Sequence, residues 1–525
     1  MTRARRDRWI AIGGVVAAAA VVVAVAMVRA RGAEIPTSDR ALTELYTLRA
    51  ARLGLSVGAY SRFGWNHPGP LFFYLAAPLY VASGYRYAAI AMTALLVNVA
   101  SLIGIGVLMR RHASAATTMA VGASLGLYLW RFDDLATSAW NPHVAVLPLA
   151  LLFVASAAAA AGRLSALPLA CAAFSFVVQA HVAFVVPAAA CVAASAVVWL
   201  ASQRSDARRE GTSTRAIGVS IAVLAILWAP PLRDQLSGDR NLGQLVSFFA
   251  SDAPRHELNR SVAVFAREFT TLVEPSDPAL DAALYTRDAG SKALRGWQAA
   301  AGIEIVLLLI LAGLALRSGR TFDAAWAGAT AAAAIAAVLA IMRIRGAIEP
   351  YLIVWVGLLG TMAIGVLTGA ALERVVAANS SAGSRLRAAA DAVVALLCGG
   401  VLVTGLARVV REPVERPDAA AVRTLSGAAA AFLDDAHPGV PAIHIVQSAW
   451  PIAAGIVLQL TKADRPVAVE RGWESMFGRP FRETGGEIAL IVADVDFARA
   501  AEREDRRGLL LLAEKNGLYL YAPSR

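Results

Sequence analysis

The sequence predicts a mainly α-helical, polytopic membrane protein with a small α/β domain at its C-terminal end. Hydrophobic residues make up 58% of the 525 positions and charged residues only 17%, whereas soluble chains are about half apolar and a quarter charged. Apolar runs of about 20 residues, the length that a helix needs to cross a bilayer, recur along the chain. The formal charge of +11 does not predict nucleic-acid binding, because much of it is arginine in short loops between those runs.

The apolar runs predict about eleven transmembrane helices. The first run follows a basic N-terminus but is too long for the core of a signal peptide, so we expect it to be retained as a span. The predicted spans are residues 9–28, 86–109, 114–130, 143–162, 165–181, 184–201, 216–231, 298–316, 322–342, 350–371 and 388–410.

Arginines in the short loops predict the orientation of these spans. Arg3, Arg5 and Arg6 precede the first span, and Arg110 and Arg111 follow the second. Similar basic loops follow the sixth and eighth spans, and the positive-inside rule places this face in the cytoplasm. We therefore expect a multi-pass protein of a bacterial-type inner membrane, with its N-terminus inside and its longer loops and C-terminal domain outside.

The chain is expected to form two domains, a transmembrane domain at 1–411 with an outer loop at 29–85, and a small soluble domain at 412–525. The second part alternates short helical and strand patterns, and Asn516-Gly517 predicts a hairpin turn. It has no nucleophile elbow, phosphate loop or metal cluster, so we expect an accessory role. Its predicted elements are helices at 417–435 and 449–462 and strands at 442–447, 466–470, 488–494 and 508–514.

Asp39 is the candidate catalytic residue of the outer loop. It begins a predicted interfacial helix at 40–53, in which leucines recur at helical spacing. Aspartate favours the N-cap of a helix, but a carboxylate at the membrane surface is also suited to act as a general base. The two roles can coexist, because a capping residue is well fixed. Glu44 is a candidate acid partner, with a solvated surface acid as the alternative.

Two Trp-Asn stretches lie where the chain re-enters the membrane from the outer face. In "GWNHPGP" the two prolines and the glycine predict a rigid turn that presents Trp65, Asn66 and His67 beside Arg62. The simpler alternative is an interfacial tryptophan with a histidine that bonds the backbone. In "SAWNPHVAV", Trp140, Asn141 and His143 begin the fourth span, and Asn141 could serve only as an N-cap.

Other polar residues of the outer face extend this set. Arg343 and Arg345, two apart in a tight turn at headgroup level, suit a phosphate, which guanidinium groups bind through charge-assisted hydrogen bonds. Arg233 could instead pair only with its neighbour Asp234. The histidines have no ligand spacing such as i, i+4, so a divalent metal is an open alternative. The remaining candidates are the acids Asp133 and Asp134, the pair Gln179 and His181, and Tyr351.

With these residues in place, the chain resembles the GT-C superfamily of integral-membrane glycosyltransferases, which includes protein mannosyltransferases and aminoarabinose transferases. The resemblance covers about residues 1–411. It rests on Asp39 soon after the first span, "HPGP" at 67–70, "WNP" at 140–142, "RIRGAIEPYLIVW" at 343–355 and a soluble outer domain. The chain departs from members with paired acids in the first loop, because Arg40 follows Asp39.

The resemblance implies an inverting transfer of a sugar from a polyprenyl-phosphate donor to an envelope lipid, glycan or protein acceptor. Asp39 would be the base, with Glu44, Asp133 and Asp134 as candidate partners. A magnesium or manganese ion could assist, and the partners would be the donor, the acceptor and the bilayer, not nucleic acid. Arg343, Arg345, Arg62 and His67 would bind the donor phosphate, and the cleft would comprise Trp65, Asn66, Trp140, Asn141, His143, Gln179, His181, Arg233 and Tyr351.

Two other functions remain open at this point. A transporter or flippase of lipid-linked sugars would need polar residues through the middle of the membrane, whereas those of this chain cluster at one face. A non-catalytic envelope assembly protein would use the C-terminal domain as its working part.

Overall fold

The computed structural model describes residues 34–202, 214–252, 254–270, 272, 292–377, 383–411, 417–435, 439–503 and 508–524. The predicted first span at 9–28 lies outside these residues. The described chain opens with two short helices, α1 (Ser38–Ala51) and α2 (Leu71–Ala82), joined by the loop 52–70. Helix α2 is apolar but has only 12 residues, too few to cross a bilayer.

Eight described helices are long and apolar enough to cross a membrane, and each coincides with a predicted span. They are α3 (Tyr87–His112), α5 (Asn141–Ala160), α7 (Val182–Ser202), α8 (Thr214–Ser237), α11 (Arg295–Arg317), α12 (Thr321–Met342), α13 (Pro350–Val376) and α14 (Ser384–Arg411). The other helices of this part are α4 (Ala115–Arg131), α6 (Leu164–Ala180), α9 (Asn241–Ala250) and α10 (Leu258–Phe269).

Helices α4 and α6 lie where spans were predicted at 114–130 and 165–181. Helix α4 has 17 residues, which at 1.5 Å per residue gives about 26 Å, slightly less than the roughly 30 Å of a bilayer core. The protein is thus a polytopic membrane protein, and the predicted total of eleven spans stays a prediction.

Small residues bring α13 and α4 into direct contact. Gly365 and Gly369 stand four residues apart on α13, and a Cβ at Gly369 would lie 2.4 Å from the Cα of Thr117. A Cβ at Gly365 would lie 2.9 Å from the Cα of Val121. Only glycine permits this approach, which is how helices associate in a membrane where hydrophobic burial gives no driving force.

The C-terminal domain is a five-stranded mixed sheet with helices, as predicted. The strand order is β2-β1-β3-β5-β4, with β1 parallel to β2 and β3 and with β5 antiparallel to β3 and β4. Asn516 and Gly517 have φ angles of 56° and 73°, the positive values that a two-residue hairpin turn requires. Its elements are α15 (Pro417–Asp435), β1 (Pro441–Ile445), α16 (Trp450–Lys462), β2 (Ala468–Val469), α17 (Glu474–Phe477), β3 (Ile488–Asp494), α18 (Val495–Arg503), β4 (Leu509–Lys515) and β5 (Leu518–Pro523).

Helix α1 was predicted to lie at the membrane interface, but the structure places it inside the protein. Leu42 and Leu45 are buried in the apolar core of the C-terminal domain, and Leu48 is buried in the core of the membrane domain. The leucine spacing correctly predicted a helix. It could not reveal that other parts of the protein, rather than the bilayer surface, surround this helix on most of its sides.

Candidate active site

A cleft of about 930 Å³ lies between the loop 52–70, the helix α9 and the ends of α5, α7, α12 and α13. Its lining combines apolar and aromatic side chains with charged groups. The sequence-predicted residues that line it are Asp39, Arg62, Trp65, His67, Trp140, Asn141, His181, Arg343, Arg345 and Tyr351.

Asp39 lies in the first turn of α1, and its carboxylate does not cap the helix. The N-cap position is Thr37, which makes no side-chain capping bond. Oδ1 of Asp39 instead accepts a hydrogen bond of 2.5 Å from the hydroxyl of Tyr60. Ser38 has a left-handed φ of 56°, a conformation that costs a non-glycine residue about 1–2 kcal/mol. Such strain concentrates at functional sites.

The surroundings of Asp39 make it a stronger base than an exposed aspartate. Burial raises the pKa of its carboxyl above the ordinary value, and the hydrogen bond from Tyr60 partly opposes that increase. A carboxylate with a raised pKa accepts a proton more readily, which suits a general base. Sequence reasoning missed Tyr60, whose only signal is a tyrosine two residues before the predicted phosphate ligand Arg62.

Three arginines face the same cleft. Arg343 directly follows the last residue of α12, and Arg345 lies two residues later in the turn before α13. Arg345 donates to Oγ of Ser251 over 2.6 Å, and its guanidinium carbon lies 3.8 Å from the centre of the Phe248 ring. Arg62 donates to the carbonyl oxygen of Arg345 over 3.5 Å. Within the described ranges no carboxylate forms an ion pair with these three arginines, so the cleft offers an uncompensated positive charge to an anion.

His67 and His181 lie side by side with ring centres 4.2 Å apart. The amide of Val182 donates to Nδ1 of His67 over 3.1 Å, and the amide of Ala183 donates to Nδ1 of His181 over 3.2 Å. Each neutral ring therefore carries its proton on Nε2 and can donate from there. Burial, with His181 as a smaller cause, holds the pKa of His67 well below its usual range. His67 is thus a neutral donor and not a cation.

Aromatic side chains pack beside these charged and polar groups. Trp65 packs against Phe248 and Phe249 with ring centres 5.4 and 5.9 Å away. Trp140 packs against Tyr351 at 5.1 Å. The indole nitrogen of Trp65 is buried and has no hydrogen-bond partner within the part of the chain that the structure describes. A buried N–H of this kind costs free energy unless a ligand accepts from it.

Asn66 and Gln179 were predicted to line the cleft, but the structure places both side chains behind its wall. The amide of Asn66 donates to the hydroxyl of Tyr46 over 3.0 Å and to the carbonyl oxygen of Gly58 over 3.2 Å. Gln179 is buried and donates to the carbonyl oxygen of Leu227 over 2.8 Å. Their hydrogen bonds hold the loop and the helices in place.

His143 and Arg233 also lie outside the cleft lining. His143 contacts the hydroxyl of Ser138 at 3.1 Å. Arg233 is exposed and does not pair with Asp234, whose carboxylate accepts from the amide of Asn241 over 2.8 Å at the start of α9.

The three candidate acid partners are elsewhere too. Glu44 is fully buried and pairs with Lys462 of the C-terminal domain at 2.6 Å. Asp133 pairs with Arg408 at 3.2 Å. Asp134 follows it and does not line the cleft. Among the described residues, Asp39 is consequently the only carboxylate in the cleft lining.

Two solved structures share this fold over nearly the whole chain. ArnT from Cupriavidus metallidurans bound to undecaprenyl phosphate is 18% identical with a TM-score of 0.54, covering 97% of this chain and 98% of that one. ArnT from the same organism in the apo state is 15% identical with a TM-score of 0.52, covering 98% of each chain. No protein-family model and no curated protein matches the sequence. The chain is therefore a polytopic membrane protein that shares the fold of these ArnT structures, and the predicted GT-C-like architecture is confirmed at the level of fold alone.

Proposed function

We propose that this protein is an inverting glycosyltransferase that moves a sugar from a polyprenyl-phosphate carrier to an envelope lipid, glycan or protein. The observation that carries the proposal is the placement of one carboxylate, Asp39, and three arginines in one cleft at the ends of the membrane helices. A neighbour with the same fold binds undecaprenyl phosphate, which supports a lipid phosphate as the ligand of the arginines.

Asp39 acts as the general base. Its carboxylate takes the proton from the acceptor hydroxyl while that oxygen attacks C1 of the sugar from the side opposite the phosphate. The new C1–O bond forms as the bond between C1 and the phosphate oxygen breaks, so the configuration at C1 inverts. The hydrogen bond from Tyr60 fixes the carboxylate during this step.

The polyprenyl phosphate leaves with the bonding electron pair, and its negative charge grows as the C1–O bond breaks. Arg343, Arg345 and Arg62 stabilise that charge, because preorganised donors act most strongly where charge develops in a water-poor site. His67 and His181 add neutral N–H donors at the same wall. Trp65 and Trp140 offer flat apolar faces to the sugar or to the first isoprene units.

A divalent ion is not part of this mechanism. In the ranges that the structure describes, no group of three or more His, Cys, Asp and Glu side chains could hold a metal. Asp39 is the only carboxylate among the described residues that line the cleft, so the proposal gives the charge-stabilising role to Arg343, Arg345 and Arg62.

The cellular placement is also part of the proposal. The arginine distribution supports an inner-membrane protein with its N-terminus in the cytoplasm and with the cleft and the C-terminal domain on the outer side. The donor's long apolar chain would then lie along the membrane helices, with its phosphate at the outer boundary.

Deletion of the gene followed by mass spectrometry of lipid-linked sugars and envelope glycans tests this function. An accumulated polyprenyl-phosphate sugar together with a missing envelope modification would identify donor and acceptor. The accumulated lipid is then offered to the purified protein in proteoliposomes with the deletion strain's envelope as acceptor. Sugar transfer is expected, whereas movement of the lipid between leaflets without loss of its sugar would identify a flippase and overturn the proposal.

A further inference from the structure

Helix α1, which begins next to Asp39, is embedded in the C-terminal domain. Ile35, Ala41, Leu42 and Leu45 belong to the same buried apolar core as α15, α16 and the sheet. The helix is thus shared between the two domains, and its position depends on both.

An ion pair between a buried carboxylate and a partly buried lysine joins α1 to α16. Nζ of Lys462 lies 2.6 Å from Oε1 of Glu44 and donates to the carbonyl oxygen of Tyr85 over 2.8 Å. The same Oε1 accepts from the hydroxyl of Tyr80 over 2.8 Å. A fully buried carboxylate is strongly destabilising without its partner, so this contact restricts how α1 can sit against the C-terminal domain.

A second connection runs from the C-terminal domain to the wall of the cleft. The hydroxyl of Tyr46 on α1 donates to the carbonyl oxygen of Met476 in α17 over 3.0 Å. The same hydroxyl accepts from the amide of Asn66 over 3.0 Å. Asn66 stands between Trp65 and His67, which both line the cleft.

The neighbouring residues strengthen that connection. Arg49 of α1 donates to the carbonyl oxygen of Phe477 over 3.3 Å. Arg479 pairs with Asp239, which lies in the turn before α9. Asn241 at the start of α9 exchanges hydrogen bonds of 2.8 Å with the backbone of Asn66. The segment 476–479 therefore contacts α1 and the turn before α9, and these two elements flank Asn66 through Tyr46 and Asn241.

We propose that the C-terminal domain sets the geometry of the cleft, with Lys462 as a positioning residue for α1 and Tyr46 as a positioning residue for the wall at Trp65 and His67. The inference rests on the proposed function, because it assigns the domain a role in the same transfer. Neither residue lines the cleft. A displacement of about 1 Å in a reacting group can lower a rate about 100-fold, so a contact outside the cleft can control turnover.

The test uses the full-length protein in proteoliposomes, with the lipid-linked sugar that accumulates in the deletion strain as donor. Lys462→Met keeps most of the side-chain volume and removes the charge, and Lys462→Arg restores the charge. We expect Lys462→Met to lower kcat about 10- to 100-fold with little change in the affinity for undecaprenyl phosphate, and Lys462→Arg to recover much of that loss. Tyr46→Phe is the second variant, with the same expected direction.

Arg465→Met is the matched control, because Arg465 pairs with Asp434 inside the same domain and does not contact α1. Equal kcat values for Lys462→Met, Tyr46→Phe and Arg465→Met would overturn the inference. So would a parallel loss of kcat and undecaprenyl phosphate affinity without recovery in Lys462→Arg, since that pattern indicates a general loss of structure. Asp39→Asn in the same assay separates the two proposals: full turnover in that variant would remove the proposed base itself.

Discussion

The hydroxyl of Tyr60 donates a hydrogen bond of 2.5 Å to Oδ1 of Asp39, and this pair faces three arginines across one cleft. The tyrosine comes from the loop 52–70 and the aspartate from the first turn of α1. Their contact therefore depends on how the loop packs against the helix. The hydrogen bond fixes the orientation of the proposed base. Burial raises the pKa of Asp39, and the hydrogen bond lowers it.

Asp39→Asn is expected to abolish sugar transfer while leaving the binding of undecaprenyl phosphate intact. The amide keeps the shape of the side chain but cannot accept the acceptor's proton, and general-base catalysis contributes about 100- to 10,000-fold. Transfer is measured in proteoliposomes, with lipid binding measured in parallel. Asp133→Asn serves as control, because Asp133 is exposed and pairs with Arg408 away from the cleft. Unchanged transfer in Asp39→Asn would exclude Asp39 as the base.

Tyr60→Phe is expected to shift the acidic limb of the pH–rate profile to higher pH. Asp39 must be ionised to act as a base, so activity rises as pH increases through its pKa. The hydroxyl of Tyr60 lowers that pKa and burial raises it, so removal of the hydroxyl leaves burial less opposed. Tyr74→Phe is the control, since the Tyr74 hydroxyl donates only to the carbonyl oxygen of Leu55 in the described chain. A limb that stays in place would show that Tyr60 does not control this titration.

Arg343→Ala and Arg345→Ala are each expected to weaken undecaprenyl phosphate binding roughly 10- to 100-fold, because a hydrogen bond to a charged group is worth about 1.5–3 kcal/mol. Arg345→Ala should also loosen the segment at Ser251, to which Arg345 donates. Binding is measured by titration of the lipid in detergent. Arg233→Ala is the informative control, because sequence patterns placed Arg233 in the cleft and the structure does not. Retained affinity in both cleft variants would remove the arginines from the phosphate site.

His67→Gln is expected to keep undecaprenyl phosphate affinity within about threefold, whereas His67→Ala should lose about tenfold, the value of a single hydrogen bond to a charged group. Glutamine can accept from the Val182 amide and donate from its own nitrogen, which reproduces the two contacts of the neutral ring. If His67 acted as a cation, both variants would lose affinity equally. The comparison is made by lipid titration at one pH, because the lipid phosphate itself titrates.

Glu44→Ala is expected to lower the free energy of unfolding by about 1–3 kcal/mol, because the buried Tyr80 hydroxyl loses its acceptor and the partly buried Lys462 loses its partner. Asp133→Ala removes an exposed partner and should change stability by about 0–1 kcal/mol. Unfolding of both variants is followed in the same detergent or nanodisc. Similar stability of the two would show that the Glu44–Lys462 contact does not hold the domains together.

The spacing of apolar residues and the overall composition made the membrane class and the C-terminal helices and strands predictable. Local chemistry suffices for them: the runs around α3, α12 and α13 are long enough to span, and Asn516-Gly517 can adopt the two positive φ angles of a hairpin turn. Many candidate residues at the ends of the helices also line one cleft, since polar groups at membrane depth are costly unless they are used.

The sequence by itself determined the membrane class, the helix positions, the C-terminal α/β pattern and the acids, arginines and aromatic residues available at the helix ends. Only the tertiary structure decided which of them meet. Asn66, Gln179, His143 and Arg233 carry the same chemistry as residues of the cleft, but their hydrogen bonds or their exposure keep them outside it. Glu44 faces Lys462, more than 400 residues away in the chain, and Tyr60 faces Asp39. Such partners are brought together by the packing of distant segments, and no periodicity along the chain records that packing.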